Sequence, residues 1–159
     1  MVSTALAATL GRRNVHYGWV VVGATFFTML VTAAAMGAPG VLIVPLEKEF
    51  GWTTSEISAA LAVRLILYGL LGPFAAAFMN RFGVRRVVVF AMALIAAGFL
   101  TSTVMTQLWQ LMLLWGLVIG VGTGLTAMVL AATVSTRWFN HRRGLVMGML
   151  AASAATGQL

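Results

Sequence analysis

The chain has 159 residues, of which 61% are apolar and only 8% are charged. Ordinary soluble domains carry about 25% charged residues, so this composition excludes soluble enzymes and soluble binding modules and indicates a protein of the lipid bilayer. The net charge of +7 does not indicate nucleic-acid binding, because the basic residues stand in short clusters between long apolar runs. Without cysteine, the chain can form no disulfide, thiol nucleophile or cysteine-based metal site.

Long apolar runs predict an all-α membrane protein with four complete spanning helices and the start of a fifth. A helix needs about 20 apolar residues to cross a bilayer. The predicted spans lie at 18–44, 56–79, 86–104 and 108–135, with an incomplete one at 144–159. Residues 1–17 precede the first span, which is too long for a cleavable signal and is expected to remain as a membrane helix.

The predicted loops differ in charge from one side of the membrane to the other. Eight arginines and no acidic residue fall on one side: Arg12, Arg13, Arg81, Arg85, Arg86, Arg137, Arg142 and Arg143. The other side holds Lys48 together with Glu47, Glu49 and Glu56. Because cytoplasmic loops are rich in basic residues, this asymmetry predicts a multi-pass inner (plasma) membrane protein with a cytoplasmic N-terminus.

One charged residue, Arg64, lies well inside a predicted span. It follows Glu56 by about 12 Å along a helix, which puts it near the middle of the membrane. A charge there costs at least about 2.5–3.5 kcal/mol, so Arg64 is expected to face the bundle interior or a water-filled cavity. Tyr68, one helical turn further on, can place a hydroxyl group beside the guanidinium.

Two interpretations of Arg64 are open. No acidic residue of the chain lies at membrane depth, so its counter-charge must come from a bound anion, from backbone carbonyls or from sequence outside this chain. A guanidinium matches a carboxylate with two parallel hydrogen bonds, which predicts a substrate-binding site for an anion. The alternative is a structural arginine that reaches the membrane surface or pairs with a helix end.

A weakly polar stripe runs along the first predicted helix. At about 100° per residue, Thr25, Thr28 and Thr32 fall on one face, which can line a substrate path. The same hydroxyl groups can equally make hydrogen bonds between helices. Pro39, in the run Gly-Ala-Pro-Gly at 37–40, is expected to loosen the outer end of this helix.

Glycines repeat at four-residue spacing in two of the predicted helices. They are Gly116, Gly120 and Gly124 in the fourth, and Gly144 and Gly148 in the fifth. Small residues at this spacing let helix backbones approach closely, so both series are predicted to be packing faces. The run Gly-Val-Gly-Thr-Gly at 120–124 is not a dinucleotide loop, because it lies inside an apolar run with no preceding strand.

Three local patterns resemble those of one transporter family. They are Arg-Phe-Gly-Val-Arg-Arg at 81–86, His-Tyr-Gly-Trp at 16–19 and the run 137–148 that leads into the fifth span. The first resembles the loop motif of the major facilitator superfamily. The other two resemble segments of its monocarboxylate-transporter group and of bacterial oxalate/formate-antiporter-like relatives. The resemblance implies the N-terminal part of a major-facilitator bundle, with residues 18–159 as a partial six-helix bundle.

The resemblance also implies a loop motif that controls conformation. Its residues are Asn80, Arg81, Gly83, Arg85 and Arg86. Asn80 stands where the family usually has an aspartate that is thought to hold the cytoplasmic side closed, so a weaker or differently balanced gate is expected. Gly116 stands at the position of the intramembrane arginine of proton-coupled drug antiporters, which disfavours drug–proton antiport.

The function implied by the resemblance is secondary active transport of small, monocarboxylate-like organic anions by alternating access. Proton symport and anion exchange both fit, and no catalytic group, metal or cofactor is expected. The implied partners are the organic anion, protons in the case of symport, the bilayer and a missing C-terminal bundle of the same protein. The alternatives are an exporter of another small-molecule class and a truncated, non-functional product. A small oligomeric exporter and an intramembrane enzyme are disfavoured, because the chain lacks a membrane-buried acid and a catalytic set.

Overall fold

The computed structural model describes residues 17–126, 128–139 and 143–158. The first three helices are α1 (Tyr17–Phe50), α2 (Thr54–Phe82) and α3 (Val84–Ser102). A fourth span follows, built from α4 (Leu108–Leu111), a π-helical segment (Met112–Val118), α5 (Ile119–Leu125) and α6 (Met128–Trp138). The last element of the described chain is α7 (Arg143–Gly157).

Four stretches of the described chain are long and apolar enough to cross a membrane. They are Gly18–Phe50, Thr54–Phe82, Val84–Ser102 and Leu108–Trp138. The predictions of an all-α membrane fold and of four spanning helices are therefore confirmed. The expected N-terminal segment with Arg12 and Arg13 lies outside the described residues apart from Tyr17, and Arg142 also lies outside them.

The first helix is longer than the sequence predicted, because its charged C-terminal turns remain helical. α1 continues past residue 44 to Phe50 and ends at Gly51, whose φ of 68° favours glycine. α2 then begins with a capping box. The Glu56 N–H donates to the Thr53 hydroxyl at 3.3 Å, and the Thr53 N–H donates to the Glu56 carboxylate at 2.9 Å. The helices are therefore joined by a short polar turn.

The second and third helices are joined by a single residue. Gly83 has a φ of 87°, a conformation that residues with a side chain rarely adopt. The motif residues predicted to form a loop are therefore mostly helical. Asn80 and Arg81 lie in the last turn of α2, and Arg85 and Arg86 lie in the first turn of α3.

The fourth span is the most buried of the four and lies at the centre of the described bundle. α2 packs against the π-helical segment and α5, α3 packs mainly against α5, and α1 packs mainly against α7. Buried apolar side chains form two clusters, one around Met79 and Leu130 and one around Ile57 and Trp115. The fourth span contributes to both clusters, so it ties the other helices together along its length.

The two ends of the described bundle differ in charge. We call one the arginine end, which is defined by Arg81, Arg85, Arg86, Arg137 and Arg143. The opposite, acidic end carries Glu47, Glu49 and Glu56 with Lys48. Between the ends, large apolar side chains such as Phe27 (69% exposed) and Leu65 (60% exposed) point away from the bundle, as expected of residues in contact with lipid.

Candidate functional site

Arg64 is buried between helices although it carries a charge. Its side chain is 3% exposed, and its Nη2 donates a hydrogen bond of 2.6 Å to the carbonyl of Ala35 in α1. Among the described residues no acidic side chain pairs with it. The counter-dipole observed in the structure is therefore a backbone carbonyl, one of the partners that the sequence left open.

The guanidinium of Arg64 also has an unused donor. Its Nε, like the Nε1 of Trp115 in the π-helical segment, is buried and has no hydrogen-bond partner in the described part of the protein. Buried polar groups are nearly always hydrogen-bonded, so an unpartnered guanidinium nitrogen requires an explanation. An anion that reached this edge of Arg64 would satisfy it.

The carbonyl that Arg64 contacts belongs to a helical turn that contains a proline. In a regular α-helix the carbonyl of Ala35 would accept a hydrogen bond from the N–H of residue 39, but Pro39 has no N–H. Ala35 is 4% exposed and Pro39 is buried, so water cannot readily take this position. Arg64 therefore donates the hydrogen bond to the Ala35 carbonyl that Pro39 cannot donate.

Glycines of the fourth span allow it to approach Arg64 closely. A Cβ atom added to Gly120 would lie 3.3 Å from the Cα of Arg64 and 3.6 Å from its Cγ. Gly116 lies in the same way against the carbonyl of Ala60 (3.3 Å), and Gly124 lies against the Cβ of Leu71 (3.1 Å). All three glycines thus face α2, and Gly120 lies against the stem of Arg64.

Two close contacts of α3 were not identified from the sequence. A Cβ atom on Gly122 would lie 3.0 Å from the carbonyl of Ala91, and one on Gly98 would lie 3.1 Å from the Cδ1 of Ile119. Gly122 is offset by two residues from the Gly120 series, so it points to another helix. The available signal was the density of glycine at 120–124, which indicates that more than one face is closely packed.

The first two glycines of α7 have different surroundings. Gly144 and Gly148 are exposed, and a Cβ atom on either would meet nothing within 4 Å. α7 instead turns the larger residues Val146 and Leu150, together with Ser153, towards the bundle. The packing predicted for Gly144 and Gly148 is therefore not made with any described helix, because the helix is rotated to bury its bulkier face.

The substrate-binding residues predicted from the sequence do not form one cluster. Tyr68 is half-buried one turn beyond Arg64, but no hydrogen bond joins the two within the described residues. Thr25 lies about 15 Å from Ala35 along α1, and Thr28 about 10 Å, because each residue adds about 1.5 Å. Only Thr32 lies within one turn of the Ala35 carbonyl that Arg64 contacts.

The hydroxyl groups of the three threonines all have hydrogen-bond partners within the protein. Thr25 donates to the carbonyl of Val21 (2.8 Å), and Thr28 donates to that of Ala24 (2.9 Å). The Thr32 hydroxyl lies 2.9 Å from the Thr126 hydroxyl at the end of α5, in a buried contact between helices. Of the two roles considered for this stripe, Thr32 thus makes the contact expected of helix packing.

Thr25 and Thr28 do line a cavity, but it is separate from Arg64. This cavity of about 690 Å³ lies between α1, α3 and α6 near the arginine end. Its wall is mainly valine and leucine, with two guanidinium groups supplied by Arg85 and Arg137. The predicted polar residues are therefore divided between a buried pair in the middle of the bundle and an open cavity at one end.

The motif at the junction of α2 and α3 is held to the fourth span by a hydrogen bond. Arg137, at the end of α6, donates from Nη2 to the Oδ1 of Asn80 at 2.7 Å. The guanidinium of Arg81 lies 5.5 Å from the centre of the Phe82 ring. Asn80 thus accepts from an arginine without the ion pair that an aspartate would make.

Comparison with known proteins identifies the family. The family model of the Major Facilitator Superfamily matches residues 25–159, which is most of the chain. The chain belongs to the major facilitator superfamily. In this superfamily member, the hydrogen bond between Asn80 and Arg137 joins the expected conformational motif to the fourth span at the arginine end.

Individual relatives of this superfamily member are transporters. The chain is 31% identical to monocarboxylate transporter 9 of Mus musculus over 143 residues, which is 89% of this chain and 28% of that protein. It is 27% identical to monocarboxylate transporter 2 of Homo sapiens over 138 residues, or 87% of this chain and 29% of that protein. It is 33% identical to the uncharacterized transporter ESBP6 of Saccharomyces cerevisiae, over 84% of this chain and 20% of that protein. The chain thus spans less than a third of the length of these relatives.

Proposed function

We propose that this chain forms part of a secondary transporter that carries small organic anions across a membrane by alternating access. Membership of the superfamily and similarity to proteins named monocarboxylate transporters support the transport of small organic molecules. The observation that carries the choice of an anion is the buried guanidinium of Arg64, whose Nε lacks a partner. A carboxylate fits such a donor, because it accepts charge-assisted hydrogen bonds from a guanidinium.

The proposed transporter has its arginine end in the cytoplasm and works with a second helical bundle. Basic residues favour the cytoplasmic side of a membrane, and the described arginines between spans are all at one end. Two bundles that rock about a site at the middle of the membrane would expose Arg64 to each side in turn. Coupling to protons and exchange of one anion for another both fit this arrangement.

The test is the substitution Arg64→Lys in the complete protein. A lysine keeps the positive charge and can still donate, but it loses the planar fork that binds a carboxylate with two parallel hydrogen bonds. Loss of one charge-assisted hydrogen bond corresponds to a fall in affinity of about tenfold or more. We expect uptake of labelled lactate, oxalate or formate at low concentration to fall by about this factor.

The matched control is Arg143→Lys, which makes the same change at an exposed position of α7 outside the loop motif. Transport by this variant should equal that of the unchanged protein. If Arg64→Lys also transports the three anions normally, recognition of a carboxylate by the Arg64 fork is wrong. Failure of the unchanged protein to transport any organic anion would exclude the proposed substrate class as a whole.

The contact between Asn80 and Arg137 offers a separate test of alternating access. Asn80→Asp would convert the hydrogen bond of 2.7 Å between the charged Arg137 and a neutral amide into an ion pair, and would favour the conformation in which the two residues meet. We expect labelling of single cysteines placed in the cavity near the arginine end to change in rate. The double variant Asn80→Asp with Arg137→Gln should return to the original rate, and an unchanged rate in the single variant would contradict this role of Asn80.

A further inference from the structure

The three prolines of the chain have different surroundings, and one of them is exceptional. Pro45 in α1 and Pro73 in α2 are exposed, whereas Pro39 in α1 is buried. Each proline inside a helix removes the hydrogen bond to the carbonyl four residues earlier. For Pro45 that carbonyl belongs to Val41, whose side chain is 78% exposed, and for Pro73 it belongs to the exposed Gly69. Only the carbonyl that Pro39 leaves without its usual donor, that of Ala35, belongs to a buried residue.

The buried carbonyl has a specific replacement donor. Arg64 reaches from α2 to Ala35 with a hydrogen bond of 2.6 Å. Within a bilayer, a proline in a spanning helix is tolerated where a neighbouring helix satisfies the carbonyl that it releases. The position of Arg64 therefore explains how α1 remains one continuous helix through a buried proline.

The donor that Ala35 uses belongs to the same edge of the guanidinium as the unpartnered nitrogen. Nε and Nη2 together form the side-on fork that binds the two oxygens of a carboxylate. Nη2 is engaged by Ala35, whereas Nε has no partner. A carboxylate that approached this edge would find Nε ready to donate, and it would have to share Nη2 with the Ala35 carbonyl or displace that carbonyl.

We propose that Pro39 and Arg64 form a coupled pair, in which a carboxylate bound to the Nε and Nη2 edge of Arg64 displaces the Ala35 carbonyl and releases α1 to bend at Pro39. The inference rests on the proposed function, because it takes the carboxylate to be the transported anion. It adds that binding of the anion has a consequence for α1. Occupancy of Arg64 changes the flexibility of the helix opposite, so Arg64 acts as a positioning residue for α1 as well as a ligand of the anion.

The first experiment tests the pair without any ligand. Arg64→Met removes the donor to Ala35, and Pro39→Ala restores a backbone N–H to the same carbonyl. We expect Arg64→Met to lower the Tm of the complete protein by several degrees in the original background, and by less than half as much together with Pro39→Ala. The control is Pro45→Ala, which restores an N–H in the same helix at an exposed carbonyl and should leave the effect of Arg64→Met unchanged.

Equal losses of Tm in the original and Pro39→Ala backgrounds would overturn the pair. If Arg64→Met alone does not fold, its recovery by Pro39→Ala and not by Pro45→Ala is the expected result, and recovery by neither proline substitution overturns the proposal. Arg64→Lys is a milder substitution that can replace Arg64→Met in the same set of backgrounds. Its Tm should fall less than that of Arg64→Met, because an ammonium can still donate one hydrogen bond to Ala35.

The second experiment measures the competition with lactate as the probe. In the Pro39→Ala protein the Ala35 carbonyl has its own N–H, so Arg64 is released to bind the anion. We expect the Kd for lactate to decrease about tenfold in Pro39→Ala and to stay constant in Pro45→Ala. An equal Kd in Pro39→Ala and the unchanged protein would overturn the competition.

The two experiments separate failure of this inference from failure of the proposed function. Lactate binding that depends on Arg64, with no recovery of Tm by Pro39→Ala, would overturn the pair and leave the anion site standing. Recovery of Tm without binding of lactate, oxalate or formate to any variant would overturn the anion site and the competition that depends on it. Recovery of Tm together with tighter lactate binding in Pro39→Ala supports both.

Discussion

Two glycine series with a four-residue spacing, one in the fourth span and the pair Gly144 and Gly148 in α7, have opposite surroundings. A Cβ atom on Gly116, Gly120 or Gly124 would lie within 3.4 Å of α2, whereas one on Gly144 or Gly148 would meet nothing within 4 Å. Spacing alone thus identifies a face that can approach another helix. Which face a helix buries depends also on the larger residues around its circumference, and in α7 these favour the side of Val146 and Leu150.

The largest difference between the two series is expected when the same large side chain is placed in both. Gly120→Leu would insert a branched side chain where the Cα of Arg64 lies 3.3 Å from the position of a Cβ. α2 would have to move away, and Arg64 would move with it from Ala35. We expect a loss of about 3 kcal/mol in the free energy of unfolding, since overpacking of this kind is costly. Denaturant unfolding of the complete protein and lactate uptake would measure the two effects.

Gly148→Leu is the matched control for this substitution. Nothing lies within 4 Å of a Cβ at this position, so we expect a change of less than about 0.5 kcal/mol. A loss as large as that of Gly120→Leu would contradict the open surroundings of Gly148. It would indicate that this face of α7 meets another helix in the complete protein.

The number and nature of the spanning helices could be predicted from the sequence because the bilayer imposes a simple length requirement. The ends of those helices were harder to predict from the sequence. α1 extends to Phe50 because charged residues at a membrane surface do not end a helix, and the positive φ of Gly51 does. The capping box of Thr53 and Glu56 is a local signal for the beginning of α2, and it was present in the sequence.

The candidate site could be predicted only in part, because its contacts join distant parts of the chain. Arg64 could be recognised as exceptional from its charge at membrane depth. Its partner lies 29 residues away in another helix, and no local pattern specifies which carbonyl faces it. A usable signal was nevertheless present, since Pro39 must leave the carbonyl of Ala35 without its usual donor. The helical spacing of the threonines could not show that they serve two different regions.

A smaller effect is expected when a hydroxyl group that joins two helices is removed. Thr126→Val would remove one member of the buried pair with Thr32, which joins α1 to the fourth span at 2.9 Å. Hydrogen bonds between membrane helices contribute about 1 kcal/mol, so we expect a loss of this size in the free energy of unfolding. Thr156→Val in α7 is the control, because its exposed hydroxyl donates only to the carbonyl of Ala152 in its own helix.

The double substitution Thr32→Val with Thr126→Val tests whether the loss comes from the pair itself. If the two hydroxyl groups stabilise each other, the second substitution should cost less than it does alone. Strictly additive losses would assign the effect to bonds within each helix, since both hydroxyl groups also lie within 3.0 Å of a carbonyl of their own helix. That result would mean that the contact between Thr32 and Thr126 does not stabilise the packing of α1 against the fourth span.

The smallest expected effect differs in sign between the two glycine series. Gly148→Ala adds only a methyl group to an open helical position, and alanine has less conformational freedom to lose on folding than glycine. We therefore expect a gain of about 0.5 kcal/mol in the free energy of unfolding. Gly124→Ala makes the same chemical change, but its methyl group would lie 3.1 Å from the Cβ of Leu71 and 3.3 Å from the carbonyl of Leu67. Here the steric cost should exceed the gain, so the protein should be destabilised. Because both substitutions have the same effect on the unfolded chain, a difference in sign can come only from the packing of the two helices, and equal gains would mean that α2 can withdraw from the fourth span at no cost.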